Sequence, residues 1–285
     1  MVLKMKINDL ASKSQWIRQT IFEMAARTRQ GHLASALSQV EIIVALYYGG
    51  FMRYTPGNPN DPDRDRLIVS KGHATMSVYP ILADLGYFPE EELDRYGTPE
   101  GLLRIFGNTS IPGIEATTGS LGQGLGIGCG FCEVAKTENK DFHTYVIVSE
   151  GEMYEGSIWE SAMFASHNKY DNLTVILDRN NKIILGDTED MLALEPIADK
   201  WQSFGWHVIP ADGHSYESLL PALDEARKTT GKPTVIIAKT TKGKGISYME
   251  DRHEWHYLVG NEEQTIQARE ELKTNCISYE GENND

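Results

Sequence analysis

The sequence predicts an α/β fold with a doubly wound, mostly parallel sheet that carries helices on both faces. Short β-branched segments alternate with stretches of helical periodicity, which is the order produced by repeated strand–helix–strand units. These segments are apolar along their length, as expected for strands that are buried on both faces. No linker-like segment divides the 285 residues. We therefore predict one domain over residues 1–274 and an acidic, flexible tail over 275–285.

The N-terminal part of the chain predicts two helices. Asn8 and Asp9 can cap a first helix over residues 10–29. Ser38 and Glu41 have the spacing of a capping box, and they stand at the start of a second, apolar helix, EIIVALYYGG.

The rest of the chain predicts a loop and then the strands of the sheet. Proline and asparagine crowd residues 55–63, which indicates a surface loop before the first strand. The predicted strands cover residues 66–70, 144–149, 173–178, 206–210 and 233–240, with intervening helices that include 157–169 and 215–228.

Composition and charge exclude several kinds of partner. The chain is 40% hydrophobic and 24% charged, which is ordinary for a soluble globular protein. Its 27 Lys and Arg residues against 41 Asp and Glu give a net charge of −14. We therefore expect no nucleic acid and no anionic membrane as a partner, because binding to either requires clustered basic residues. No apolar run is long enough for a membrane helix.

Cysteine usage indicates a reducing compartment. The chain has three cysteines, two of them in the segment Cys129-Gly-Phe-Cys132. This spacing fits a redox or metal motif, but the surrounding segment is apolar and glycine-rich, which favours two small buried side chains. An odd number of cysteines without a signal peptide predicts a cytoplasmic protein.

Two polar residues follow neighbouring predicted strands. Glu150 comes directly after the second strand and Asn180 after the third. Ligands bind beyond the carboxyl ends of strands in open α/β sheets, and carboxylate and amide oxygens suit Mg²⁺ or Ca²⁺. A divalent metal site and a pair of ordinary polar loop residues both remain open on spacing alone.

Glycines and histidines mark further candidate positions. The segment from Gly119 to Gly130 has glycines at helical spacing, and each costs about 1 kcal/mol of helix propensity relative to alanine. A close approach of the backbone to a neighbour is needed to offset that cost. His32, His73 and His256 all lie in predicted loops, where three together would indicate a reactive site.

Taken together, these segments resemble the N-terminal half of transketolases along nearly the whole chain. The blocks occur in the family's order and with compatible gaps. They are Gly31-His32 with Leu37-Ser38, Ser70-Lys-Gly-His73, Thr118-Gly-Ser-Leu-Gly-Gln-Gly124, Glu150-Gly-Glu-Met-Tyr-Glu155 with Trp159-Glu160, Asp178-Arg-Asn180, and Lys242-Gly-Lys-Gly-Ile-Ser with Glu254-Trp-His256.

The resemblance implies a diphosphate-binding (PP-type) domain that binds thiamine diphosphate and transfers a two-carbon ketol unit from a ketose to an aldehyde. The ketol chemistry belongs to the cofactor, and protein groups orient the reactants and move protons. The implied roles concern metal, cofactor, catalysis and interface. For the metal, the implied ligands of Mg²⁺ are Glu150, Asn180 and the backbone carbonyl of Lys182. For the cofactor, Gly119, Ser120 and Leu121 would line the aminopyrimidine ring, Gly151 and Glu152 would contact the cofactor, and His73 and His256 would contact the diphosphate and the reacting centre. His32 would face substrate hydroxyls, and Glu155 and Glu160 would lie at a subunit interface.

The same resemblance implies a partner chain. In this family the glutamate that activates the aminopyrimidine lies in a second, pyrimidine-binding domain, for which the chain leaves no room. We therefore expect a split enzyme, whose partner in an α2β2 heterotetramer is a C-terminal pyrimidine-binding transketolase subunit. Its substrates would be a ketose and an aldose, as sugar phosphates or analogues.

Two positions depart from the family pattern. The usual metal motif is Gly-Asp-Gly, whereas this chain has Ser149-Glu150-Gly151. The longer Glu150 side chain makes Ca²⁺ or Mn²⁺ alternatives to Mg²⁺, whose octahedral geometry is strict. From the sequence we expect Glu150→Asp to retain or improve Mg²⁺-dependent cofactor binding. In addition, the Gly-His-Pro loop that contacts the donor sugar is absent from residues 104–115, which predicts a different donor or acceptor.

Two alternatives remain open beside the split transketolase. One is a related thiamine-diphosphate enzyme, either similar to deoxyxylulose-phosphate synthase or a specialised sugar ketolase. The other is a binding or regulatory subunit without catalysis, which the changed metal position and the missing loop would fit.

Overall fold

Five parallel strands form the centre of the fold in the computed structural model, which describes residues 4–274. Their order across the sheet is β1-β2-β3-β5-β4, so β4 forms the edge of the sheet and β5 lies between β3 and β4. The predicted α/β class is confirmed, and every strand pair is parallel within the described residues. The strands are β1 Arg66–Val69, β2 Thr144–Ser149, β3 Leu173–Arg179, β4 His207–Asp212 and β5 Thr234–Lys239.

Helices cover both faces of the sheet, and short 3₁₀ turns follow the strands β1 and β2. The helices are α1 Ile7–Thr28, α2 Leu33–Leu37, α3 Val40–Tyr48, α4 Tyr79–Asp84, α5 Gly124–Thr137, α6 Gly156–His167, α7 Thr188–Met191, α8 Ile197–Ser203, α9 Tyr216–Lys228 and α10 Glu262–Thr274. The 3₁₀ turns are Gly72–Ser77, Glu90–Arg95, Glu150–Tyr154 and His253–His256.

Alternate strand residues feed two separate hydrophobic cores. In β2, Tyr145 and Ile147 pack with α1, α3 and α9, whereas Val146 and Val148 pack with α5, α6 and α8. Because both faces are covered, β2 is buried at nearly every position. The doubly wound arrangement follows from this continuous apolar character.

Both predicted helix caps are wrong. Helix α1 begins at Ile7, and its N-cap residue Lys6 has no side-chain cap. Helix α3 begins at Val40, and Ser38 instead donates a 2.5 Å hydrogen bond to Asp178. Glu41 accepts from Nη2 of Arg18 at 2.7 Å. A buried ion pair therefore takes the carboxylate that the capping box would have used.

The glycine-rich segment brings α5 close to the sheet, as predicted. A Cβ atom on Gly124 would overlap Cβ of Ser70, and one on Gly128 would lie 2.6 Å from Cγ2 of Val146. Close packing thus explains two of the glycines, whereas a Cβ on Gly130 would meet open space.

Cys129 and Cys132 are small buried side chains on α5, and burial raises the pKa of each thiol to about 12. The predicted tail over 275–285 lies outside the described residues. Among residues 4–274, no helix is both long and apolar enough to span a bilayer.

Candidate active site at the carboxyl ends of the strands

A cavity of about 410 Å³ opens at the carboxyl ends of β1, β2 and β3. The structure brings most of the predicted site residues together around it, although they come from separate loops. The lining includes His32, His73, Gly119, Leu121, Gly151, Asn180, Lys182 and His256 from the prediction, together with Ser35, Lys71, Phe106, Ser149, Tyr154, Ile183, Ile184 and Lys242.

Three imidazole rings form a cluster in this cavity. The ring centroids of His32 and His73 are 4.9 Å apart, those of His32 and His256 5.1 Å, and those of His73 and His256 5.3 Å. His32 lies between α1 and α2, His73 in the turn after β1, and His256 in the turn before α10. The fold thus brings histidines from three loops that are distant in the sequence together in this cavity.

The clustered histidines are uncharged near neutral pH. Burial is the largest cause, and it lowers the pKa of His32 to about 4 and that of His256 to about 3, with Lys242 acting in the same direction. Burial also lowers the pKa of His73 well below its ordinary value. Nδ1 of His32 is buried without a hydrogen-bond partner among residues 4–274. Neutral imidazoles can accept or relay protons.

Two buried lysines border the cavity, and sequence reasoning missed both as site residues. Lys71 pairs with Asp178, and Nζ of Lys242 lies 3.0 Å from Nδ1 of His256. Burial, aided by Lys71, lowers the pKa of Lys242 to about 8. Although the chain is acidic, this cavity presents local positive charge suited to a diphosphate. Both lysines lie inside the sequence blocks that resemble transketolases, and this position was the sign in the sequence that they belong to the site.

The predicted metal ligands follow the neighbouring strands β2 and β3, although Glu150 is not among the residues that line the cavity. The Glu150 side chain is fully buried, and Nη1 of Arg179 donates to its Oε2. Oε1 of Glu150 is buried without a hydrogen-bond partner in the described chain. Oδ1 of Asn180 accepts from the backbone N–H of Lys182 at 3.1 Å, which holds the two residues together.

These residues fit a divalent cation. An unpartnered buried carboxylate oxygen is costly unless a cation or donor reaches it. Burial accordingly raises the pKa of Glu150 to about 7, although Arg179 and the backbone N–H of Asn181 oppose that rise. Carboxylate, amide and carbonyl oxygens form the hard donor set that Mg²⁺ accepts.

The contact between Arg179 and Glu150 changes the predicted effect of Glu150→Asp on Mg²⁺-dependent cofactor binding. A shorter side chain would withdraw its carboxylate from the guanidinium. The sequence alone predicts that this substitution retains or improves Mg²⁺-dependent binding, because it does not reveal the contact with Arg179. We now expect the substitution to weaken binding.

Not every predicted residue lines the cavity. The Glu152 side chain is buried below it, where it accepts from the backbone N–H groups of Ser149 at 2.8 Å and Gly122 at 3.0 Å and from the hydroxyl of Ser70. These bonds tie three loops together, so Glu152 shapes the site from outside. Ser120 is exposed and is absent from the lining.

Gly151 lines the cavity, and its contact with the cofactor stays a prediction. A Cβ atom there would lie 3.3 Å from Cγ2 of Ile183, so a side chain would press on the opposite wall. Glu155 and Glu160 are exposed at the start of α6, near the exposed apolar residues Met163 and Phe164. Their role at a subunit interface stays a prediction.

Comparisons with known proteins identify the family of the chain. Residues 11–279 match the family model for transketolase, thiamine diphosphate binding domain. The chain is 37% identical to an apulose-4-phosphate transketolase subunit of Phocaeicola vulgatus, over 98% of this chain and 99% of that one. It is 38% identical to a 6-deoxy-6-sulfo-D-fructose transketolase subunit of a Clostridium species, over 93% and 96% of the two chains.

A solved structure shows the same fold. The transketolase of Campylobacter jejuni superposes with a TM-score of 0.90 and 30% identity, covering 96% of this chain but only 44% of that one. The present chain thus spans less than half of that transketolase and nearly all of the two subunit relatives. The chain belongs to the transketolase family, and the part of the family that it matches is the thiamine diphosphate binding domain.

Proposed function

We propose that this chain is the diphosphate-binding subunit of a two-chain transketolase, a transferase of carbohydrate metabolism. It binds thiamine diphosphate with a divalent metal and transfers a two-carbon ketol unit from a ketose to an aldehyde. The observation that carries the proposal is the convergence of three neutral imidazoles and two buried lysines on one cavity at the strand ends.

Some residues of the cavity bind the charged diphosphate, and others transfer protons. When bound, thiamine diphosphate supplies the nucleophilic carbon for ketol transfer. Lys71 and Lys242 offset the charge of the diphosphate, and the backbone at Gly151 leaves room for the phosphates. His32 faces the substrate hydroxyls, and His73 and His256 contact the diphosphate and the reacting centre, where neutral imidazoles can move protons.

The metal centre consists of Glu150, Asn180 and the carbonyl oxygen of Lys182. Mg²⁺ is the first candidate ion, with Ca²⁺ or Mn²⁺ as alternatives because Glu150 is longer than aspartate. The buried, unpartnered Oε1 of Glu150 supports this assignment.

A pyrimidine-binding subunit completes the site, in an α2β2 heterotetramer within the cytoplasm. Two relatives of nearly equal length are named as transketolase subunits, which supports a second chain. Large apolar side chains are exposed near the cavity, which is typical of a surface that another protein covers. They are Phe106, Ile184, Leu185, Leu192, Tyr257 and Leu258. We place Glu155 and Glu160 at a subunit contact.

The substrate pair differs from the ordinary pentose phosphates. Phe106, which is 42% exposed, stands in the cavity wall with its ring centroid 5.6 Å from that of His32. An apolar ring thus occupies the wall where the shortened loop lacks its histidine. Relatives named for apulose 4-phosphate and 6-deoxy-6-sulfofructose support an unusual sugar.

The test is a ketol-transfer assay on this chain mixed with its pyrimidine-binding partner subunit. We expect ketose product from apulose 4-phosphate or 6-deoxy-6-sulfofructose with an aldehyde, and poor kinetics with xylulose 5-phosphate and ribose 5-phosphate. Product from pyruvate would instead favour an enzyme similar to deoxyxylulose-phosphate synthase. If calorimetry detected no thiamine diphosphate binding with Mg²⁺ present, a non-catalytic subunit would replace the proposal.

A further inference from the structure

Arg179 is buried at the end of β3, directly beside the metal-site residue Asn180. Its side chain is only 8% exposed. Nη1 donates to Oε2 of Glu150 and, at 2.9 Å, to Oγ1 of Thr188. The guanidinium therefore lies between the floor of the cavity and the segment that contains α7.

Two further carboxylates hold the guanidinium from that segment. Nη2 of Arg179 donates to Oε1 of Glu189 and to Oε1 of Glu195, each at 2.9 Å. Glu195 also accepts from the backbone N–H of Ile197 at 2.8 Å, and Glu189 from that of Leu194 at 3.2 Å. Because both anchors are fixed to backbone, Arg179 has little freedom to move away from Glu150.

This arrangement leaves the two oxygens of Glu150 in different states. Oε2 is occupied by Arg179, and Oε1 is buried without a hydrogen-bond partner among residues 4–274. A glutamate has one more rotatable bond than an aspartate, so its carboxylate has more orientations to lose on binding a metal. One fixed oxygen removes that freedom and presents the other as a single ligand atom.

We propose that Arg179 is a positioning residue of the metal site, which holds Glu150 so that Oε1 faces the cation. The proposal rests on the proposed function, because Glu150 must be a metal ligand for the orientation to matter. Groups that hydrogen-bond to a metal-binding side chain and orient it usually contribute about 10–100-fold to metal affinity.

The experiment measures Mg²⁺ affinity in the reconstituted two-chain complex at fixed thiamine diphosphate, by calorimetry. Arg179→Met should weaken Mg²⁺ binding about 10–100-fold, while thiamine diphosphate affinity at saturating Mg²⁺ stays unchanged. Arg179→Lys should recover only part of the loss, because an ammonium cannot make the two-sided contact of a guanidinium. Arg269→Met is the matched control, since it breaks an Arg–carboxylate pair with Glu23 at the surface.

Two further variants separate the possible failures. If Arg179→Met does not fold, Glu195→Gln takes its place, and it should weaken Mg²⁺ binding in the same direction but less. Unchanged Mg²⁺ affinity in whichever variant folds would overturn the role of Arg179. Glu150→Gln tests the metal site itself: a loss there with normal Arg179→Met removes only this inference, whereas normal binding by Glu150→Gln removes the proposed metal site.

Discussion

Nζ of Lys242 lies 3.0 Å from Nδ1 of His256, so a buried cation directly contacts one of the three clustered imidazoles. The ammonium has no lone pair and must donate, which leaves Nδ1 as acceptor and places the ring proton of a neutral His256 on Nε2. The lysine therefore fixes both the charge and the tautomer of this histidine.

Replacing that lysine should affect the cofactor and the histidine together. We expect Lys242→Met to weaken thiamine diphosphate binding about tenfold, equivalent to about 1.4 kcal/mol, because a buried cation facing the diphosphate is lost. The pKa of His256, now about 3, should rise, since Lys242 contributes to its lowering. Calorimetry and the histidine NMR titration measure these two effects, and an unchanged pKa with unchanged affinity would refute the contact.

The imidazole cluster should be needed for turnover more than for cofactor binding. We expect His32→Asn to lower kcat about 10²–10⁴-fold, the usual contribution of a positioned proton-transfer group. Thiamine diphosphate affinity should change little, because the proposed role of His32 is toward the substrate hydroxyls. His143→Gln is the control, since His143 is buried outside the cavity. Equal effects of the two substitutions on kcat would contradict the assignment.

The Glu150–Arg179 contact should make the longer carboxylate necessary. We expect Glu150→Asp to weaken Mg²⁺ binding about tenfold or more, because aspartate loses the hold of Arg179 on Oε2. The measurement is a Mg²⁺ titration followed by thiamine diphosphate binding. Retained or improved affinity, as expected from the sequence alone, would show that the sheet end adapts without Arg179.

Acid should destabilise the chain through its buried histidines. Burial, aided by Arg227, lowers the pKa of His143 from 6.5 to about 3, so below pH 6.5 the unfolded chain binds a proton that the folded chain does not. Stability from neutral His143 is thus fully present above pH 6.5 and is lost as pH falls toward 3, by about 1.4 kcal/mol per pH unit. Urea unfolding between pH 7 and 4 should show a shallower slope for His143→Gln than for the parent chain. Parallel slopes would mean that His143 is protonated in the folded state.

Apolar patterning predicted the sheet well, because a strand that is buried on both faces is a run of consecutive apolar residues. All five strands of the described chain were predicted to within two residues at each end, and the cavity forms where their carboxyl ends meet. The helix caps failed for a different reason. Ser38 and Glu41 have capping spacing, but tertiary partners, Asp178 and Arg18, took their side chains.

Buried charges were the part of the site that the sequence concealed. Lys71, Lys242 and Arg179 look like ordinary surface cations along the chain, and only the fold shows which carboxylate or imidazole each one contacts. By contrast, His32, His73 and His256 stood out because a rare residue type occurred in loops of one sheet edge. Glu152 lies in the motif block that begins at Glu150, yet its carboxylate joins loops below the cavity and does not line it.

In the proposed function, this chain carries the diphosphate half of a site that a pyrimidine-binding subunit completes. The most direct test is a titration of that subunit into a fixed amount of this chain, with saturating thiamine diphosphate and Mg²⁺, while ketol transfer is recorded. We predict no turnover from the chain alone, a linear rise on addition of the partner, and a plateau at equal amounts of the two chains. Robust turnover by the isolated chain, or none at any ratio, would contradict the claim.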